Sequence, residues 1–93
     1  MKFRWIQWNI EKVHTHGVTP QEAEEIVTRA ESPYPQQRQD EKLLVQGDTS
    51  AGRLLQVVYV LDPDETVFVI HARPLSPREK WRRRRMRRRR GIL

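Results

Sequence analysis

The spacing of apolar residues predicts a helix in the first third of the chain. One apolar stripe recurs at i, i+3, i+4 and i+7, the spacing of a single helical face, and it consists of Ala23, Ile26, Val27 and Ala30. Just before it, the segment Thr19–Glu22 combines a capping threonine, a proline, and a glutamate three residues after the threonine. We therefore predict a helix that begins at Pro20 and packs its apolar face on a sheet.

Three β-rich segments in the second half of the chain predict strands. They are Lys42–Gln46, Arg53–Leu61 and Thr66–Arg73, and the turn compositions GDTSAG and DPDE separate them. Loops this short make neighbouring strands antiparallel.

The remaining N-terminal segments carry weaker signals. The opening KFRWIQW is aromatic and β-branched enough to predict a first strand. After it, Asn9 is a candidate N-cap for a short helix that ends near His16, because Gly17 readily adopts the left-handed conformation that terminates helices. The segment Ser32–Asp40 contains two prolines and no periodicity, which predicts a loop.

A second capping signal opens the last helix. Ser76 precedes Pro77, and Glu79 follows at the third helical position, so a helix is predicted from Pro77 into the arginines. We expect it to fray beyond about Arg84, because like charges repel along a helix surface. The predicted order is β-α-α-β-β-β-α, an α+β fold with an antiparallel sheet of about four strands. We assign residues 1–81 to a single domain and residues 82–93 to an arginine-rich tail that continues the last helix.

Composition narrows the class of protein. A chain of 93 residues, 37% hydrophobic and 32% charged, is expected to form one small globular domain. Cysteine is absent, which excludes disulfides and zinc–thiolate sites. No apolar run approaches the roughly 18 residues of a membrane-spanning helix, and the N-terminus lacks the apolar region of a signal peptide. We expect no membrane association and a cytoplasmic location.

The charge is concentrated at the C-terminus. Residues 1–76 carry a net charge of −3, whereas residues 77–93 carry +9. Such a block usually marks contact with nucleic acid or another polyanion, although it also occurs as a solvated tail without a specific partner. The candidate nucleic-acid-binding residues are Arg78, Lys80, Arg82, Arg83, Arg84, Arg85, Arg87, Arg88, Arg89 and Arg90.

The third predicted strand combines core and polar positions. Strict alternation gives it one face with Phe68, Ile70 and Ala72, and a second face with Val67, Val69, His71 and Arg73. We expect the first face to belong to the core, with Ile26 and Val27 packed against Val58, Phe68 or Ile70. His71 and Arg73 then stand together on the polar face. A histidine beside an arginine suits an anionic substrate, since one moves a proton and the other neutralises charge, but an exposed polar strand end would look the same.

Three further residues complete a candidate catalytic set with His71 and Arg73. His16 lies at a helix C-terminus, where it serves either as a capping residue or in proton transfer. Arg53 opens the neighbouring strand and offers a second guanidinium. Glu79 is the only acid among the last 17 residues, so an ion pair is favoured over general acid–base work. No acidic residue completes a metal-ligand set with the histidines, and no nucleotide-cofactor motif is present. We expect neither a metal nor a cofactor, and the chemistry that fits is phosphate binding or phosphodiester cleavage.

The order of motifs resembles the BrnT family of toxins from bacterial type II toxin–antitoxin modules. The resemblance covers nearly the whole chain and runs through W8-N9-x-x-K12, H16-G17-V18-T19 with E22-A23, G47-D48-T49 with G52-R53-L54-L55, and A72-R73-P74 with S76 and E79. Where many members have Tyr four residues after the glutamate, this chain has Arg83.

The resemblance implies a fold similar to RelE-type ribonucleases and a metal-independent RNA cleavage that stops translation. It implies RNA or the ribosome as target, and as partner a small DNA-binding antitoxin of ribbon-helix-helix type. His16, Arg53, Arg73 and Glu79 fall on recurring family positions. Two alternatives remain at this point: a nucleic-acid-binding module of the same fold that does not cut RNA, and a basic interaction protein that docks on an acidic partner.

Overall fold

Two helices precede the sheet in the order of the chain. A computed structural model describes the backbone of residues 1–92 and the side chains of residues 1–85. The helices are α1 (Gln7–Thr15) and α2 (Pro20–Thr28), and the strands are β1 (Gln36–Gln37), β2 (Leu43–Asp48), β3 (Leu54–Leu61) and β4 (Val67–Pro74). A short 3-10 turn, Gln39–Glu41, lies between β1 and β2, and helix α3 (Pro77–Ile92) ends the described chain.

The predicted α+β class is confirmed, but the predicted order of elements is wrong at the N-terminus. The order is α-α-β-β-β-β-α, and the four strands form an antiparallel sheet in sequence order. The segment predicted as a first strand makes only an isolated bridge from Phe3 to Val67. The fourth strand comes instead from the predicted loop, where Gln36 and Gln37 pair with Leu44 and Leu43.

The start of α1 shows why the opening strand does not form. The helix begins at Gln7, so Asn9 lies inside its first turn and is fully buried. The side chain of Asn9 still caps the helix, because its Oδ1 accepts a hydrogen bond from the backbone N–H of Ile6 at 2.7 Å. Its Nδ2 donates to the carbonyl of Arg4 at 3.1 Å, which ties the preceding chain to the helix. At the other end, Gly17 has a positive φ of 72°, as predicted for the residue that terminates α1.

The capping box of α2 forms as predicted. Thr19 Oγ1 accepts from the backbone N–H of Glu22 at 3.1 Å, and the Glu22 carboxylate accepts from the backbone N–H of Thr19 at 3.0 Å. Within α2, Ala23, Ile26 and Val27 are buried.

The core lies between the two N-terminal helices and one face of the sheet. It comprises the buried residues Val13, Val18, Ala23, Ile26, Val27, Val45, Leu55, Val57, Tyr59, Val67, Val69 and Ala72. The opposite face, called the open face below, carries the polar residues Gln46, Gln56 and Arg73 beside the partly buried apolar residues Leu44 and Val58. Within residues 1–92, no helix combines the length and apolar character needed to cross a membrane.

A register shift in β4 overturns the predicted faces of that strand. Val58 pairs with His71, whereas Tyr59 pairs with Val69, so Ile70 is an extra residue without a partner in β3. Strict alternation therefore fails at this point. Val67, Val69 and Ala72 are buried in the core, and Phe68, Ile70, His71 and Arg73 are only partly buried. Ile26 and Val27 accordingly pack on the side of Val45, Leu55 and Val57, not on Val58, Phe68 or Ile70.

We expect Ile26→Ala to lower the free energy of unfolding by about 2–4 kcal/mol, because Ile26 is 1% exposed and its truncation leaves a cavity against the sheet. Ile6→Ala is a matched control, since Ile6 is 45% exposed and the same atoms are removed. Its expected loss is below about 1 kcal/mol. Urea unfolding of the three proteins measures both values. Equal losses in the two variants would contradict the placement of α2 over the core.

Candidate functional site

Glu79 joins the first turn of α3 to the end of β4. Its Oε1 accepts hydrogen bonds from Arg73 Nη1 at 2.7 Å and from the backbone N–H of Ser76 at 2.8 Å, and its Oε2 accepts from Arg73 Nη2 at 2.9 Å. Ser76 Oγ accepts from the backbone N–H of Glu79 at 3.2 Å, which completes the predicted capping box. The hydrogen bonds from Arg73 lower the pKa of Glu79 to about 2, so Glu79 is a carboxylate at neutral pH. This state suits an ion pair and not proton donation.

A row of polar side chains crosses the open face of the sheet beside this pair. In the strand ladders, Gln46 of β2 lies opposite Gln56 of β3, and Gln56 lies opposite Arg73 of β4. Gln46 Nε2 donates to Gln56 Oε1 at 3.0 Å and contacts Glu79 Oε2 at 3.5 Å, while Tyr34 donates its hydroxyl proton to Gln46 Oε1 at 2.9 Å. The row therefore links the Pro-rich loop, residues 32–35 before β1, to the Arg73–Glu79 pair.

Arg83 provides a second link between α3 and the sheet. Its Nη1 donates to the carbonyl of Gln46 and its Nη2 to Oδ1 of Asp48, each at 3.4 Å. The Arg83 side chain is 15% exposed, so it is the most enclosed of the tail arginines whose side chains the structure describes. Its Nε–H is buried and has no hydrogen-bond partner among the described residues.

The structure brings His16 and His71 together. The two ring centroids are 5.1 Å apart, with His16 at the end of α1 and His71 in the bulged part of β4. Partial burial lowers the pKa of His71, and the positive charges of His16, Arg73 and Lys12 lower it further. A lowered pKa keeps the imidazole of His71 neutral at neutral pH, which is the form that accepts a proton.

An aromatic and basic stripe leads to the two histidines. Trp8, Lys12 and His16 recur every fourth residue and so share one side of α1. The Lys12 ammonium lies 5.3 Å from the Trp8 ring centroid, and the Trp8 ring stacks at 6.0 Å on Phe68 of β4. Trp8 is 47% exposed, so this α1 stripe offers both a stacking surface and positive charge. The four-residue spacing of Trp8, Lys12 and His16 is the sequence signal that indicates this stripe.

Arg53 forms an ion pair with Glu22 of α2. Its Nη1 donates to both carboxylate oxygens of Glu22, at 2.9 and 2.8 Å, and to the carbonyl of Gly17 at 3.1 Å. These contacts tie the start of β3 to the turn between α1 and α2. Arg53 therefore lies near the turn that carries His16, but its own partners are Glu22 and Gly17.

The other predicted basic residues lie along α3. The exposed ones are Arg78, Lys80, Arg82, Arg84 and Arg85. The guanidinium of Arg85 lies 5.0 Å from the ring centroid of Trp81, which is itself 57% exposed. The helical backbone continues to Ile92 and does not end near Arg84. Arg87, Arg88, Arg89 and Arg90 lie outside the residues with described side chains.

No family model, curated protein or solved structure matches this chain. The resemblance to BrnT toxins therefore remains a prediction from the motifs. Among the described side chains, no group of three or more His, Asp or Glu residues is arranged to hold a metal ion.

We expect His16→Gln to raise the pKa of His71, because the substitution removes a positive charge that disfavours a second proton nearby. His14→Gln is the matched control, since it removes a histidine of the same helix that is exposed to solvent. Titration of the His71 imidazole by NMR measures the shift. In the unchanged protein, folding stability is lost as the pH falls from the ordinary pKa of histidine towards the lowered pKa of His71. This loss should be smaller in His16→Gln, because the pKa of His71 in the folded state is then closer to its ordinary value. An unchanged His71 titration in His16→Gln would contradict the coupling.

Proposed function

We propose that this protein is a metal-independent endoribonuclease of BrnT-toxin type that blocks translation. The observation that carries the proposal is the placement of a neutral His71 two residues from Arg73 on the open face of the sheet. The α1 stripe adjoins this pair on one side and the basic helix α3 on the other. An RNA strand is the polyanion that uses all three features, because its bases stack on aromatic rings while its phosphates bind guanidinium groups.

The proposed reaction uses the 2′-hydroxyl of RNA as the nucleophile. His71 accepts the proton of this hydroxyl, the 2′-oxygen forms a bond to the adjacent phosphorus, and the bond from phosphorus to the 5′-oxygen breaks. A protonated His16 donates its proton to the departing 5′-oxygen. The products are a 2′,3′-cyclic phosphate and a 5′-hydroxyl.

Arg73 stabilises the negative charge that develops on the phosphate. A guanidinium has five N–H groups, and the contacts with Glu79 and with the carbonyl of Pro74 use three of those of Arg73. The remaining two are available to a phosphate without loss of the ion pair. Arg53 would contribute only if RNA displaced it from Glu22, as its present contacts hold the turn after α1.

These ion pairs favour a second candidate function, an RNA-binding module that does not cut RNA. Both arginines assigned to the phosphate already neutralise a carboxylate, Arg73 that of Glu79 and Arg53 that of Glu22. A binding module needs only the α1 stripe and the exposed arginines of α3. For either function, the partner that we propose from the BrnT resemblance is a small ribbon-helix-helix antitoxin that covers the RNA-binding surface.

Purified protein should cleave single-stranded RNA in the presence of EDTA and leave 2′,3′-cyclic phosphate ends. His71→Gln should reduce the rate by at least about 100-fold, in the range expected when a general base is removed. His14→Gln is the control and should cleave at the rate of the unchanged protein. Gel electrophoresis and end-group analysis measure both. Intact RNA with retained binding would exclude the nuclease and favour the binding module.

Truncation after Arg85 should weaken RNA binding without creating a sequence preference. The truncated chain keeps Arg83 and its contacts to the sheet but loses four arginines. Because binding of single strands releases counterions, each lost phosphate contact should make the slope of log affinity against log salt shallower by about 0.7. Fluorescence anisotropy over a salt series measures the slope. An unchanged slope would mean that residues 86–93 do not contact RNA.

A further inference from the structure

A cavity of about 330 Å³ opens on the polar face of the sheet. The Pro-rich loop, strands β2 and β3, and α3 enclose it, and its walls include Tyr34, Arg38, Gln56, Arg82 and Arg83. Its volume is at the lower end of the range for small-molecule sites. Neither the α1 stripe nor the two histidines line it, so it is a separate part of the surface.

The side-chain amides in this cavity have a defined orientation. The hydroxyl of Tyr34 donates to Gln46 Oε1, and Gln46 Nε2 donates to Gln56 Oε1. This chain of hydrogen bonds uses the carbonyl oxygen of Gln56 and leaves its Nε2 group with two donors. Gln56 therefore presents the two N–H groups of its Nε2 as donors to a molecule in the cavity.

The charges in the cavity also favour acceptors. Arg38 and Arg82 contribute two exposed guanidinium groups, whereas Arg83 is paired with Asp48 and the carboxylate of Glu79 is paired with Arg73. An anion with several acceptor oxygens would neutralise these two charges and accept hydrogen bonds from the Nε2 group of Gln56.

We propose that this cavity binds one nucleotide of the RNA substrate and reads its base. Arg38 and Arg82 bind the phosphate, and the Nε2 group of Gln56 donates to the base beside the ring of Tyr34. Uracil and guanine fit, because each carries a carbonyl oxygen, O4 of uracil and O6 of guanine, at the position where cytosine and adenine carry an exocyclic amino group. With the Nε2 group of Gln56 directed at that position, the amino group of cytosine or adenine would place N–H donors against donors. The assignment of RNA as the source of the nucleotide rests on the proposed function.

The register of the sheet sets this nucleotide close to the proposed reaction centre. Gln56 lies directly opposite Arg73, and directly opposed residues have Cβ atoms about 5 Å apart. His71 lies two residues from Arg73 along β4. The nucleotide in the cavity is therefore adjacent to the phosphate that Arg73 contacts, and its base sets the cleavage preference.

Binding of mononucleotides to the full-length protein tests the site independently of cleavage. The probes are UMP, GMP, AMP, CMP and inorganic phosphate, added to ¹⁵N-labelled protein at 150 mM salt, roughly the physiological ionic strength. We expect UMP or GMP to bind at least about tenfold more tightly than AMP, CMP or phosphate, a difference of about 1.4 kcal/mol. The side-chain NH₂ resonances of Gln56 should shift only with UMP and GMP. Tail arginines bind phosphate too, but they do not move these resonances.

Matched variants test the phosphate contact and the base contact of the cavity separately. Arg38→Gln should weaken the binding of every nucleotide by about tenfold. Lys42→Gln removes an equal charge outside the cavity and should leave the affinity for each nucleotide unchanged. Gln56→Leu should abolish the preference among bases and keep phosphate binding. Equal affinity for all four nucleotides and for phosphate, with unmoved Gln56 resonances, would overturn the proposal even if the protein cleaves RNA. Base-selective binding without cleavage would support nucleotide binding in the cavity and contradict the proposed endoribonuclease activity.

Discussion

The extra residue in β4 decides which side chains the sheet exposes. Up to Val69 the strand directs valines into the core, and after Ile70 the order of faces is reversed, so that Ala72 is buried while His71 and Arg73 lie on the open face. Without this bulge, the side chains of His71 and Arg73 would follow Val67 and Val69 into the core. Burying a histidine and an arginine without partners is strongly unfavourable. The bulge therefore allows one strand to contribute to the core at one end and to a polar site at the other.

The Arg73–Glu79 pair extends this polar face to the C-terminal helix. Glu79 caps the first turn of α3 and at the same time holds Arg73 through two hydrogen bonds, so one carboxylate fixes both the start of the helix and the guanidinium. Arg83, one turn further on, contacts the backbone of Gln46 and the side chain of Asp48. Together these contacts hold the first two turns of α3, from Glu79 to Arg83, beside the sheet.

The surface then consists of three adjoining regions with different chemistry. The α1 stripe provides an exposed indole and a lysine, the histidine pair lies at its end, and the polar row with its cavity continues across β3 and β2. Most of the acidic residues near these regions are paired: Glu22 with Arg53, Asp62 with Arg4, and Glu79 with Arg73. Because these carboxylates are paired, the arginines of α3 make the electrostatic potential at the open face positive. A positive potential favours an anionic ligand.

The sequence by itself determined the local elements whose signals are contained within a few residues. The capping boxes at Thr19 and Ser76 and the terminating glycine at position 17 were readable because each involves neighbours along the chain. The association of His71 with Arg73 was readable for the same reason, since they are two residues apart on one strand. Only the tertiary structure decided the rest. The bulge at Ile70 depends on pairing with β3, and the contacts of Arg53 with Glu22 and of Gln46 with Gln56 join residues 31 and 10 positions apart. No spacing rule reaches such partners, because the packing of the helices and the register of the strands select them.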